Sequence, residues 1–138
     1  MRNLSRVAAI SLVLAGLSPA FAADTTLLTA KELKWTDVAE PKGARQAVLW
    51  GDPSGEHALL VRWPFNTKLA DVVRSQDVHV FVHAGTFTVD VAGTYKEFGP
   101  SGVLVIPKGV KHTLGCEAAG ECRFVIHHPG AVQVTTSK

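Results

Sequence analysis

The stretch from Val103 to Thr113 reads as a buried strand, then Pro107-x-Gly109, then two residues and His112. That order presents an imidazole at the end of a strand inside a small β-structure, where a neutral ring serves as a metal ligand or a general base. The segment Leu69 to Asp77 holds no histidine and no glutamate, and its carboxylates are Asp71 and Asp77. One imidazole with two carboxylates can hold a divalent ion, with the preferences of non-haem iron or manganese. His79 is a further helper for such a metal site. His79 and His83 lie on one face of a strand but about 13 Å apart, too far to share one ion. His127 and His128 are adjacent, so an extended strand points them to opposite sides. His57 reads as a solvent-exposed residue at the near edge of a hairpin.

The elements that must position these residues are short apolar or alternating runs separated by Gly, Pro, Asp and Asn, which predicts an all-β domain. Arg45 to Trp50 and His57 to Phe65 flank Gly51-Asp52-Pro53-Ser54-Gly55 as a hairpin. Val78 to His83, Thr86 to Val91, Tyr95 to Phe98, Val103 to Ile106, Lys111 to Cys116 and Arg123 to His127 follow. A short strand is expected at Glu32 to Trp35, and the polar segment around Asp71 and Asp77 reads as loop. Turn signals every eight to twelve residues suit a sandwich or jelly-roll barrel, in which two wrapped sheets hide their edges. Trp35, Trp50 and Trp63 read as core or contact residues rather than a binding box.

Residues 1 to 22 have the pattern of a secretory signal: Arg2 and Arg6, the apolar run Val7 to Leu17, then Ala20-Phe21-Ala22. The apolar run is well short of the roughly 20 residues a spanning helix needs. Residues 23 to 138 are then one domain, periplasmic or secreted, with no membrane contact after the signal is removed. The two arginines leave with the signal, so the fourteen Lys and Arg of the chain fall to twelve, equal to its twelve Asp and Glu. That balance, with no basic stripe interleaved with aromatics, excludes nucleic acid as a partner. Cys116 and Cys122 flank five residues including Gly120, and an exported chain favours a disulfide between them.

From about Gln46 to Pro129 the chain resembles the cupin superfamily, small jelly-roll β-barrels with two sequence motifs on adjacent strands. In the second motif Pro107, Gly109 and His112 match, Gly102 sits one position late with Ser101 in its place, and Cys116 stands where an asparagine is less strictly required. In the first, Gly85 supplies the closing glycine, and counting back puts Val78 at the usual glutamate and Val72 and Arg74 at the two usual histidines. The resemblance therefore implies a degenerate exported single-domain cupin, retaining one of the four usual metal ligands. Barrels of this size associate as dimers, so it also implies a homodimer. If Arg74 points inward from the position of a lost histidine, it sets a cation near His112 in a pocket of valines and leucines, suited to a small anion such as a carboxylate. The alternative, favoured by its place beside Ser75, Gln76 and Asp77, is that it points to water.

Three functions stay open on these residues. The first is a non-catalytic module binding a small apolar or anionic ligand at Arg74 and His112, without a metal cofactor. The second is a metal-dependent oxygenase or isomerase holding one divalent transition metal on His112 with Asp71, Asp77 or His79. The third is metal-free catalysis, with His112 as base and Arg74 holding a substrate carboxylate.

Overall fold

The structure, a computed structural model, describes residues 26–117 and 120–136; the segment read as a secretion signal lies outside them. The described residues form eleven strands: β1 (Thr36–Asp37), β2 (Arg45–Gly51), β3 (His57–Trp63), β4 (Thr67–Arg74), β5 (Val78–Ala84), β6 (Thr86–Val91), β7 (Thr94–Phe98), β8 (Val103–Ile106), β9 (His112–Glu117), β10 (Cys122–His128) and β11 (Val134–Thr136). One sheet has the order β1-β2-β3-β10-β5-β8 and the other β11-β4-β9-β6-β7, with antiparallel neighbours throughout. The two sheets face each other as a jelly-roll barrel.

Strand alternation decides which side chains fill the barrel. On β3 the inward set is His57, Leu59, Val61 and Trp63; on β10 it is Phe124, Ile126 and His128; on β5 it is Val78, Val80 and Val82. Phe87, Phe124 and Trp63 meet at ring centroid distances of 4.6, 5.5 and 5.9 Å and form the aromatic floor of the core. Each such ring, fully buried, contributes about 2–3 kcal/mol.

The lead-in differs from expectation. Thr29 to Glu32 close a turn, and the strand that pairs with β2 is Thr36–Asp37. The larger difference is β4, which occupies most of the segment read as loop. Its pairing with β9 slips between Leu69 and Val72, a β-bulge at Ala70 and Asp71 with Asp71 at φ 52°. Without the bulge Asp71 would share the inward face with Leu69. The extra residue reverses the alternation, turning Val72 and Arg74 inward and Asp71 out.

Cys116 and Cys122 form the disulfide, with Cα atoms 5.8 Å apart and both residues in the core. Closing this short loop contributes about 2 kcal/mol on the chain-entropy account. Gly85, at φ 84°, turns β5 into β6; a Cβ there would lie 2.7 Å from the Glu121 carbonyl oxygen, so the turn admits no side chain.

Across the outer face of the six-stranded sheet, Ala47, Leu60, Val125, Phe81 and Val103 stand opposite one another in a single uncharged row. Phe81 and Val103 are about half exposed.

Candidate functional site

The bulge in β4 positions the site. Val72 lies directly opposite His112 of β9, and Arg74, two residues on, points into the barrel with 7% of its surface exposed. Arg74 Nη1 donates to His112 Nε2 over 2.5 Å. His112 Nδ1 donates to the Val110 carbonyl oxygen at 2.8 Å. The two bonds fix the ring in its neutral Nδ1–H form. Burial, and then the guanidinium, hold the His112 pKa below its ordinary value.

Arg74 is a buried cation without a carboxylate; among the described residues no Asp or Glu forms a salt bridge with it. Burial alone pushes its pKa down to about 10. It lines a cavity of about 480 Å³ whose walls are chiefly apolar, including Leu59, Val61, Trp63, Leu114, Phe124 and Ile126. Val38 to Glu40, Pro53 and the β11 residues Val134 and Thr136 also line it. Its volume is in the range of ordinary small-molecule sites.

Of the other polar groups that line this cavity, Glu40, Gln46, Thr136, His57 and His128, the two histidines are buried. His57 is 2% exposed, so the reading of it as a solvent-facing residue is corrected: it shares the inward parity of Leu59, Val61 and Trp63. His128 shares the parity of Phe124 and Ile126 and stands directly opposite His57 across the β3–β10 pair. Their rings are 5.1 Å apart. Parity along these two strands was the signal that could have found them.

The residues considered as metal ligands do not come together. Asp71 faces outward, with Lys111 Nζ 3.7 Å from its carboxylate. Asp77 Oδ1 accepts from the Lys108 backbone N–H at 2.9 Å. His79 is on the outer face, its Nδ1 3.1 Å from His127 Nδ1, and His127 Nε2 lies 3.0 Å from Glu56. Among the described residues no three His, Cys, Asp or Glu converge on one point. The positions matching the usual cupin ligands hold buried Val72, Val78 and Arg74 with His112, whose two nitrogens are both engaged. This donor set does not fit a divalent metal. Nor does His112 line the cavity: it supports Arg74 from behind, and its lone pair is occupied.

No family model and no curated protein sequence matches the chain. Solved structures do. A polyketide cyclase, RemF from Streptomyces resistomycificus, superimposes with a TM-score of 0.72 at 18% identity over 83% of this chain and 87% of that one. An RmlC-like cupin from Shewanella frigidimarina does so with a TM-score of 0.64 at 16% identity over 77% and 92%. The fold is that of the cupins. A sugar phosphate isomerase of the cupin superfamily from Silicibacter pomeroyi has the same barrel, with a TM-score of 0.69 at 16% identity over 81% of this chain and 82% of that one. Cupins of this shape thus include enzymes, while in this chain a guanidinium stands at one of the positions where the cupin motif has a metal ligand.

Proposed function

We propose that this cupin is an exported binding protein for a small organic anion, holding a carboxylate on Arg74 with the rest of the ligand among the apolar walls. The observation that carries this reading is Arg74 itself: a buried, charge-uncompensated guanidinium on the wall of a cavity. A buried cation lacking a partner is costly, and a bound carboxylate would offset that cost through two parallel charge-assisted hydrogen bonds. His112 acts as a positioning residue, taking one Nη1 hydrogen bond so that the planar fork is held in one orientation. The signal-like residues 1 to 22 and the disulfide support export to the periplasm or beyond.

Cyclohexanecarboxylate is a suitable first probe, followed by tryptophan fluorescence because Trp63 lines the cavity. Saturable quenching that survives exhaustive chelation is the expected result. A purified protein carrying about one equivalent of transition metal, lost in His112→Ala, would overturn the reading in favour of metal chemistry.

We propose that a homodimer forms through the outer row of Leu60, Val125, Phe81 and Val103, of which Phe81 and Val103 are about half exposed. Two copies meeting there bury no charge from this row. Light scattering should report twice the chain mass, and Phe81→Asp should halve it; a monomeric wild-type protein would remove this assignment.

A further inference from the structure

The cavity wall carries further buried polar groups besides Arg74. His57 Nδ1 donates to the Gly55 carbonyl oxygen at 2.8 Å, which leaves its Nε2 as a lone pair. His128 is 3% exposed, and its Nδ1 is sealed from solvent without a hydrogen-bond partner among the described residues. The nearby Asp77 backbone carbonyl favours a proton on the ring nitrogen that faces it, which makes the unpartnered Nδ1 of the neutral ring the acceptor. Native structures hold few such atoms, because a buried acceptor that lost its water and gained no donor destabilises the fold.

Building on the anion reading of Arg74, we infer that the His57–His128 pair accepts a hydrogen bond from a hydroxyl on the apolar body of the ligand, making the ligand a hydroxylated monocarboxylate. The guanidinium and the imidazole pair are chemically opposite. Arg74 only donates and so takes the carboxylate, whereas the paired imidazoles present lone pairs that an anion would avoid. The donor must also be neutral. Burial disfavours a charge beside His128, and the guanidinium of Arg74 on the same cavity wall opposes a ligand ammonium. A hydroxyl meets both conditions.

The test uses the full mature protein with cyclohexanecarboxylate, its 3- and 4-hydroxy derivatives and the corresponding methyl ethers, measured by calorimetry. At least one hydroxy derivative should bind about tenfold more tightly than the parent acid. Its methyl ether should lose that gain, since the oxygen no longer donates. In His128→Leu the advantage should vanish while the parent acid still binds, and His128→Gln, which keeps an acceptor, should restore part of it. Imidazole nitrogen NMR of the unaltered protein provides a reading that needs no variant: the His128 Nδ1 resonance should move with the hydroxy acid and stay in place with the parent. Equal binding of parent, hydroxy acids and ethers, with a stationary His128 resonance, would overturn the second anchor and leave the anion site standing. Failure of every carboxylate to bind would overturn both.

Discussion

Arg74→Met is expected to weaken carboxylate binding by at least about a hundredfold and, without ligand, to leave the protein slightly more stable. The binding loss follows from removing two charge-assisted hydrogen bonds, each worth about 1.5–3 kcal/mol. The stability gain follows from comparing two terms. Lowering the Arg74 pKa from 12.5 to about 10 means that burial costs the charged side chain about 3 kcal/mol at neutral pH. Against this, the methionine leaves His112 Nε2 without a donor, a cost of about 1–3 kcal/mol. The difference favours the variant by about 1 kcal/mol, a rise of several degrees in Tm for a domain of this size. Adding His112→Leu removes the orphaned acceptor and should raise Tm further. Denaturation curves for the three proteins check the balance; a large loss of stability in Arg74→Met would show that the guanidinium is satisfied within the fold and is not held open for a ligand.

The second large effect is on acid stability. Burial, followed by the charges of His57 and Arg74, pushes the pKa of His128 from 6.5 down to about 4, with His127 acting in the same direction and the Asp77 carbonyl opposing it. As the pH falls below 6.5 the unfolded chain takes up this proton first, so the folded state loses relative stability until about pH 4, below which both states carry the proton. The shift corresponds to about 3 kcal/mol across that window. His112, also lowered, adds to the loss in the same direction. Chemical denaturation at half-unit pH steps should show the wild-type protein falling steeply and His128→Phe falling less, with the two curves converging toward acid pH. Parallel curves would mean that His128 titrates normally in the folded protein. A hydroxylated carboxylate bound to neutral His128 should sharpen the wild-type dependence, because it stabilises the unprotonated form.

Much of the barrel was legible in the chain. The β3, β5, β8, β9 and β10 segments announce themselves through apolar alternation bounded by Gly and Pro, and period-two alternation forces such runs to bury one face. The Cys116–Cys122 pairing was legible for a similar reason, since a short Gly-containing loop between two strands leaves the thiols opposite each other. The β4 segment was not, because Asp71, Arg74 and Asp77 make it polar, and polarity in a short run reads as loop until a neighbouring strand supplies its hydrogen bonds.

The sequence by itself determined the architecture and the loss of the usual metal ligands, because both depend on residue type and on spacing along the chain. Only the tertiary structure decided what replaced them. The direction of Arg74 depends on a one-residue bulge at Ala70 and Asp71, and a bulge is a property of the pairing with β9 rather than of β4 alone. Likewise, His57 and His128 are separated by most of the barrel in sequence and become neighbours through the β3–β10 register. Register is settled by the competition among whole strands to bury their apolar faces, so two histidines that look peripheral along the chain end as buried acceptors facing the cavity that Arg74 lines.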